Sequence, residues 1–207
     1  MKHIIMWSGG KDSTASVILL HEHEDELLNP GDEVIILFIE VMFDLKNNVS
    51  GHNPEVISYI YDTKKLFESW GYEVNILRAS TDYLTLFHGK LDGCPDPKRN
   101  GMLRGFPLGR GMCWVKRELK DNPRKAYMKS LKGTDYIEYV GMAFDELDRY
   151  NSLKVRNPKA DSLLVKYRFT EEDARALCKE HKILSPQYSF NYGQKRDGLV
   201  LSLFERL

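Results

Sequence analysis

The sequence has few cysteines, no excess of charge of either sign and no long apolar run. Three cysteines in 207 residues, an odd number without pairwise motif spacing, argue against a disulfide framework. Thirty Lys and Arg residues balance thirty Asp and Glu residues, which excludes the global basic character of many nucleic-acid- and lipid-binding proteins but leaves a local basic patch open. The longest wholly apolar run, residues 34–39, is far below the ~20 residues that a membrane-spanning helix needs.

The start of the chain lacks the features of a secretion signal. The apolar stretch Ile4–Trp7 ends at Ser8-Gly9-Gly10, too early and too rich in glycine for the apolar region of a signal peptide. We therefore expect a cytoplasmic protein without a membrane partner. A length of 207 residues, against a typical domain of ~150, predicts one domain over residues 1–207.

Short β-rich runs alternate with segments of helical length. Strands are predicted at residues 3–7, 33–40, 72–77 and 136–142, and helices at 13–28, 53–70, 114–131 and 170–181. The run at 33–40 is nearly all apolar, as expected of a strand buried on both faces of a parallel sheet. The alternation predicts an α/β fold, a three-layer sandwich with a mainly parallel, doubly wound sheet. In such sheets, ligands bind beyond the carboxyl ends of the strands.

The most informative motif lies just past the first predicted strand, at Ser8-Gly9-Gly10-Lys11-Asp12-Ser13-Thr14, which we call the phosphate loop. Unpaired N–H groups and the positive end of a helix dipole converge here, so an anion is expected. The glycines allow close approach of the backbone, Lys11 supplies a charge, and three hydroxyls add donors. The spacing excludes a Walker A loop. The alternative is a glycine turn with a solvated lysine.

The phosphate loop resembles the PP-loop of the adenine nucleotide α-hydrolase superfamily, which holds ATP pyrophosphatases and phosphoadenosine phosphosulfate (PAPS) reductases. Further segments resemble the PAPS reductase-like branch. They are Phe38–Asp44 with Asn53-Pro54-Glu55, Gly105-Phe106-Pro107 with Cys113 and Leu119–Pro123, Val140–Arg149, and Leu184–Tyr188. The resemblance spans roughly residues 4–198, and only the phosphate loop is highly specific by itself.

The resemblance implies a role for each matching residue. The phosphates would be held by Ser8, Gly9, Gly10, Lys11, Asp12 and Ser13, with a further hydroxyl from Thr14. Gly141 would let the backbone approach the nucleotide, and Arg149 would be a second anion contact, although its spacing from Asp145 and Glu146 fits a helix-surface ion pair equally well. Asp44 would help to bind Mg²⁺ if ATP is the substrate, with a solvated surface position as the stronger alternative. We therefore predict no metal ligand in the chain.

A long stretch rich in glycine and proline, residues 89–112, is unusual inside a compact domain and suggests a functional lid. Positive charge is concentrated in it and in the segment that follows, at Lys98, Arg99, Arg104, Arg110, Lys116, Arg117, Lys120, Arg124 and Lys125. These side chains would close over the 3′-phosphate of PAPS or grip a polynucleotide. A solvated basic helix face is the alternative for about half of them.

Cys113 is the best candidate for a reactive thiol, because it precedes a predicted helix and the basic residues Lys116 and Arg117, which favour the thiolate. Cys94 is the second candidate, and Cys178 occupies an apolar helical position typical of a buried filler. The iron–sulfur clusters of the resembling branch also need a C-terminal Cys-x-x-Cys pair, which this chain lacks. We therefore expect no assembled cluster.

The tail 199–207 departs from the resembling proteins. Their ending Arg-(x)-Gly-Cys-Trp-Phe-Cys-Pro is replaced by Arg196-Asp197-Gly198-Leu199-Val200-Leu201-Ser202. Codons for Cys-Trp-Phe-Cys-Pro without their first two bases read TTG GTT CTG TCC, which encode Leu-Val-Leu-Ser. Our hypothesis is that a frameshift removed the cysteine pair, and an ordinary amphipathic tail is the alternative.

These features predict a PAPS reductase-like enzyme that binds an adenine nucleotide, either PAPS or ATP. In a reductase, the Cys113 thiolate would attack the sulfonate while Lys11 and the phosphate loop stabilise the leaving nucleotide. In the alternative, an ATP pyrophosphatase, the loop would hold pyrophosphate with Mg²⁺ while ATP adenylates a nucleic-acid or small-molecule acceptor. A non-catalytic nucleotide- or nucleic-acid-binding module is the third hypothesis. A nucleic-acid partner at the basic stretch and a homodimer remain open.

Overall fold

A computed structural model describes residues 1–94, 96–107 and 113–189. The chain forms two compact units. The first comprises Met1–Phe38, Ser58–Ile76 and the described residues from Lys132 onward, and the second comprises Ile39–Ile57 and the described part of Leu77–Leu131. Part of the basic stretch, including Arg110, and the whole tail 199–207 with its frameshift hypothesis lie outside the described residues.

The first unit is built around a five-stranded sheet of order β5-β2-β1-β6-β7. Its strands are β1 (Lys2–Met6), β2 (Glu33–Ile39), β5 (Glu73–Leu77), β6 (Tyr136–Val140) and β7 (Ala160–Asp161). Strand β1 pairs in parallel with β2 and β6, and β6 pairs in parallel with β7. The chain thus adds strands first on one side of β1 and then on the other, which is the predicted doubly wound order.

Both faces of the central strand are covered. Consecutive residues of a strand point to opposite faces, and in β1 the side chains of His3, Ile4 and Ile5 are all at most 1% exposed. Helix α1 packs against β1, α7 and α8, whereas Ile60 and Phe67 of α3 lie against Gly9 and Trp7. The three-layer α/β arrangement predicted from the sequence is therefore confirmed.

The helices of this unit follow the predicted segments with some changes of length. They are α1 (Lys11–Glu22), α2 (Glu24–Leu27), most of α3 (Pro54–Ser69), α6 (Leu147–Arg156), α7 (Leu163–Lys166) and α8 (Glu171–Glu180). Helix α1 is shorter than the predicted 13–28, because His23 leaves the helical conformation at φ −121° and a separate turn follows. Helix α8 begins with the expected capping box of Thr170 and Asp173.

The second unit contains a small hairpin and mostly helical structure. Its elements are β3 (Met42–Asp44), β4 (Val49–Ser50), α4 (Tyr83–His88), a 3₁₀ turn (Pro97–Arg99), a π-helical segment (Val115–Asp121) and α5 (Asn122–Ser130). The predicted helix 114–131 is present, but its first half is π-helical. Pro123 lacks the N–H that would continue the α-helical bonding across the junction, and we attribute the break to this.

In the described part of the chain, no helix combines the length and the apolar character needed to cross a bilayer.

Candidate functional site: the phosphate loop

The phosphate loop connects the central strand to α1 at the carboxyl edge of the sheet. The last residue of β1, Met6, pairs with the last residue of β6, Val140, so the loop and Gly141 emerge side by side. The chain leaves β1 toward β2 and later returns to add β6 on the opposite side. This is the topological switch point at which open α/β sheets bind their ligands.

Gly9 and Gly10 each have a different structural role in the loop. Gly9 has φ +77°, which favours glycine, and a Cβ there would lie 2.5 Å from Cδ1 of Ile60. Gly10 is the N-cap of α1, and its carbonyl accepts from the Thr14 N–H at 3.0 Å. The first-turn amides of Asp12 and Ser13 have no intrahelical acceptor, as in every helix N-terminus. They provide the donors expected of an anion site.

A set of internal hydrogen bonds fixes the shape of the loop. The Ser13 hydroxyl accepts from the Ser8 N–H at 3.0 Å and donates to the Gly10 carbonyl at 3.0 Å. The hydroxyls of Ser8 and Ser13 are 3.1 Å apart, within hydrogen-bond distance. These bonds connect the loop to itself, and a loop held in this way loses less conformational entropy on binding.

The Thr14 hydroxyl is directed inward and is part of a chain of hydrogen bonds. It is within 3.0 Å of the Trp7 indole Nε1, which donates to it, and 3.3 Å from the Tyr59 hydroxyl. Tyr59 in turn donates to the carbonyl of Ile183 at 2.9 Å, and burial raises the pKa of Tyr59 well above its usual range. Thr14 is only 1% exposed, so its hydroxyl holds α1 against the sheet.

Lys11 is surrounded by carboxylates. Its Nζ lies 2.9 Å from both oxygens of Asp12 and 3.0 Å from Oε2 of Glu171. Burial opposes the charged form of Lys11, but the two carboxylates outweigh it and raise the pKa of the ammonium. Burial also raises the pKa of the Asp12 carboxyl, against the effect of Lys11 and together with the nearby Glu171 and Glu146. The ammonium therefore stays charged and has two carboxylates that an incoming phosphate would replace.

Two side chains near the loop were not assigned by the sequence analysis. The Tyr188 hydroxyl accepts from the Lys11 N–H at 2.8 Å, and a Cβ on Gly10 would lie 3.8 Å from the Gln187 amide nitrogen. Gln187 is 4% exposed, and its side chain lies beside the Tyr188 hydroxyl; burial raises the pKa of that phenol, and the hydrogen bond from Gln187 opposes the shift. Gln187 thus offers a buried donor beside the loop. The only sequence signal was the resemblance of the segment Leu184–Tyr188.

Gly141 lies against the start of α1. A Cβ at this position would be 2.6 Å from the backbone nitrogen of Ser13 and 2.8 Å from the carbonyl carbon of Asp12. The glycine therefore allows the end of β6 to touch the phosphate loop. Arg149 is mostly exposed and its Nη1 lies 2.7 Å from Oε1 of Glu146, which is the helix-surface ion pair that its spacing allowed. Its contact with a bound anion stays a prediction.

The remaining candidates lie in the second unit. Cys113 is partly exposed and packs against the apolar cluster around Tyr83 and Trp114. The basic residues expected to favour its thiolate each pair with a nearby carboxylate: Lys116 with Asp121 at 2.7 Å and Arg117 with Glu118 at 2.7 Å. Their support for the thiolate is correspondingly weaker.

Asp44 and Cys178 have local roles in the structure. The Asp44 carboxylate accepts from the side chain and the backbone N–H of Asn47, which lower the pKa of the carboxyl. Cys178 is fully buried, as predicted, and its Sγ donates to the Lys11 carbonyl at 3.3 Å. Burial raises the pKa of this thiol to about 12. Within residues 1–94, 96–107 and 113–189, no three His, Cys, Asp or Glu side chains are grouped to hold a metal ion.

Comparison with known proteins supports the fold at low sequence identity. No family model matches the chain. No curated protein sequence matches it either. Among solved structures, the chain is similar to the U34-tRNA thiolase NcsA from Methanococcus maripaludis, a structure that holds a [4Fe-4S] cluster, with a TM-score of 0.51 and 14% identity. The similarity covers 100% of this chain and 64% of that protein. The α/β architecture of this chain is thus similar to that of this tRNA thiolase.

Proposed function

We propose that the chain is an adenine-nucleotide-binding enzyme that works in sulfur transfer, with PAPS or ATP as its nucleotide. The observation that carries the proposal is the placement of Lys11, two glycines and the first-turn amides of α1 at the switch point of a doubly wound sheet. A polyphosphate is the ligand class that suits helix amides, an ammonium and a backbone without Cβ atoms.

The phosphate loop would act by charge and by its preformed shape. On binding, the Lys11 ammonium would exchange the carboxylates of Asp12 and Glu171 for phosphate oxygens, while Gln187 offers an amide donor beside the loop. The amides at the start of α1 would then stabilise the negative charge that develops on the departing phosphate group. The Ser8–Ser13–Gly10 hydrogen bonds keep the loop in place during this exchange.

ATP with Mg²⁺ is supported by two observations. Asp12 and Glu171 lie within 3.0 Å of Lys11, and two carboxylates beside an anion site suit a nucleotide that brings its own divalent cation. Mg²⁺ needs only one or two protein carboxylates and otherwise takes phosphate oxygens and water. The fold similarity to a tRNA thiolase favours the same alternative, in which the acceptor attacks the α-phosphorus of ATP and pyrophosphate leaves.

PAPS is supported by the sequence resemblance around Gly105-Phe106-Pro107, Cys113 and residues 140–149. In that version a thiolate attacks the sulfonate sulfur, the sulfur–oxygen bond to the nucleotide breaks, and the nucleotide leaves with its phosphates on the loop. Cys113 is the thiol that we assign to this step.

A [4Fe-4S] cluster does not fit the cysteines of this chain. There are three cysteines in the whole sequence, and one of them, Cys178, is fully buried in α8 with its Sγ bonded to the backbone of Lys11. Only Cys94 and Cys113 remain, both in the second unit. We therefore derive no step of the reaction through a cluster.

Isothermal titration with ATP–Mg²⁺, ATP in EDTA and PAPS tests the proposal and separates its two versions. Saturable binding of one nucleotide is expected, and Lys11→Met should weaken it by about tenfold or more, because a hydrogen bond to a charged group contributes roughly 1.5–3 kcal/mol. Lys65→Met, an exposed lysine on α3, is the matched control and should bind normally. Failure of all three nucleotides to bind, or normal binding by Lys11→Met, would overturn the proposed function.

A further inference from the structure

Three buried hydrogen-bond donors without an acceptor lie in the second unit, on Trp114 and on two side chains next to it. They are the Tyr83 hydroxyl, the Trp114 indole Nε1 and Nε of Arg104, each shielded from solvent and without a partner among the described residues. Tyr83 is 4% exposed and Trp114 is 6% exposed. Buried polar atoms of this kind nearly always have a partner, so three in one place call for an explanation.

Tyr83 and Arg104 each lie next to Trp114. The rings of Tyr83 and Trp114 have centroids 5.2 Å apart, and the guanidinium carbon of Arg104 lies 5.9 Å from the centre of the Trp114 ring. The Tyr83 ring also stacks against Phe43 and Phe87, at 5.5 and 5.8 Å. Aromatic packing therefore fixes two of the donors, and the third is held over the face of one of them.

We propose that Arg104, Trp114 and Tyr83 form a binding site for a small oxyanion, a sulfate, sulfonate or phosphate group, beside Cys113. The inference goes beyond nucleotide binding by the phosphate loop and does not depend on it. We call these three residues the oxyanion triad.

The donor set determines the class of ligand. An indole N–H and a guanidinium are donors only, so the missing partner is an acceptor and neither a metal ion nor an ammonium group. The guanidinium of Arg104 has no carboxylate partner in the part of the chain that the structure describes, so the acceptor should also carry negative charge. The low-dielectric surroundings of these buried donors strengthen a hydrogen bond to a charged acceptor. A small oxyanion meets both conditions.

Cys113 places a thiol beside the site. Its side chain is partly exposed and packs against the cluster that contains Tyr83 and Trp114. Burial raises the pKa of Tyr83, and Cys113, which packs against the same cluster, adds to the shift. The phenol therefore remains a donor at neutral pH.

Nuclear magnetic resonance of the indole N–H groups in the ¹⁵N-labelled full chain tests the site directly. The sequence has three tryptophans. Trp114 reports on the triad, Trp7 reports on the phosphate loop through its bond to Thr14, and Trp70 serves as the reference. Sodium sulfate and sodium phosphate are titrated in parallel, each against sodium chloride of equal ionic strength. A saturable downfield shift of the Trp114 resonance is expected with sulfate, with phosphate or with both, and the pattern identifies the oxyanion.

Two variants and one control decide the assignment. Arg104→Gln should weaken the apparent affinity seen at Trp114 by about tenfold or more, and Tyr83→Phe should weaken it by a smaller factor. Arg156→Gln, an exposed arginine on α6, should titrate like the unmodified chain. An unchanged Trp7 resonance in each ligand-free variant verifies that the fold is intact.

The proposal is overturned if the Trp114 resonance moves no further with sulfate or phosphate than with chloride, or if Arg104→Gln titrates normally. Movement of Trp7 without Trp114 would locate the anion at the phosphate loop, which contradicts the oxyanion triad but supports the proposed function. A shift of the Trp114 resonance without a shift of the Trp7 resonance would support the oxyanion triad and contradict anion binding at the phosphate loop.

Discussion

Adding one methyl group at Gly141 should disturb both the stability of the chain and its phosphate loop. In Gly141→Ala, the new Cβ would lie 2.6, 2.8 and 2.9 Å from the nitrogen of Ser13, the carbonyl carbon of Asp12 and the Cα of Ser13. All three are backbone atoms of α1, which cannot rotate away as a flexible side chain can. Overpacking a close contact costs about 1–3 kcal/mol, and we expect the upper part of this range.

Urea unfolding followed by tryptophan fluorescence measures the free energy of unfolding, and calorimetric titration with nucleotide measures the affinity of the phosphate loop. Relief of the clash requires α1 to move away from β6, which displaces the amides that would hold phosphate, so the affinity should fall by at least about tenfold. Gly133→Ala is the control, because Gly133 has φ +88° and no atom within 4 Å of the added Cβ. It should lose roughly 1–2 kcal/mol from backbone strain alone and keep its affinity.

The reasoning is refuted if Gly141→Ala unfolds within about 0.5 kcal/mol of the unmodified chain and binds nucleotide equally well, because a surface substitution without a specific contact has an effect of that size.

Three further substitutions or treatments have defined outcomes. For ATP in EDTA, Glu171→Gln should increase the affinity about two- to fivefold in calorimetry, because Lys11 then gives up one ion pair fewer, whereas the neighbouring exposed Glu172→Gln should not. A loss of affinity in EDTA would mean that Glu171 contacts the nucleotide itself, and a loss confined to ATP–Mg²⁺ would place the cation at Glu171. Alkylation with iodoacetamide at neutral pH should modify Cys178 last of the three cysteines, since it is buried and its pKa is raised to about 12; mass spectrometry that finds it modified first would contradict the packing of α8. Burial lowers the pKa of His3 below 6.5, so the folded state binds this proton less readily than the unfolded state and loses stability as the pH falls through 6.5 toward the folded pKa. His3→Gln should therefore lose less unfolding free energy than the unmodified chain between pH 7 and pH 5, as measured by urea titrations at each pH. The same change of unfolding free energy with pH in both proteins would show that the ring is not buried as described.

The sequence predicts the sheet of the first unit well because its information there is local. Strand β2 is an apolar run between turn residues, and β1 ends where two glycines begin. Helix α4 was not predicted, because a capping residue followed by fewer than two helical turns is a weak sequence pattern. The cap itself is present: the Asp82 side chain accepts from the Thr85 N–H. The capping box of α8 was recognised because both partners lie within one turn.

The candidate site was predicted only in part, because half of it comes from distant segments. The phosphate loop is contiguous and its residues could be identified from their order alone. Glu171, Gln187 and Tyr188 follow it by more than 150 residues and approach it through the packing of α8 and the turn after it. No periodicity in a single sequence reports such a contact, and a resemblance to the segment 184–188 did not reveal which atoms it would present.

The bond between the Lys11 amide and the Tyr188 hydroxyl joins residues 177 positions apart. A ribosome that has just released the first strand and its glycines has therefore made only one side of the proposed nucleotide site. The other side arrives after residue 188 has been synthesised and has folded back onto the phosphate loop. The newly made chain should thus complete the proposed site late, long after the β1–β2 pairing has become possible.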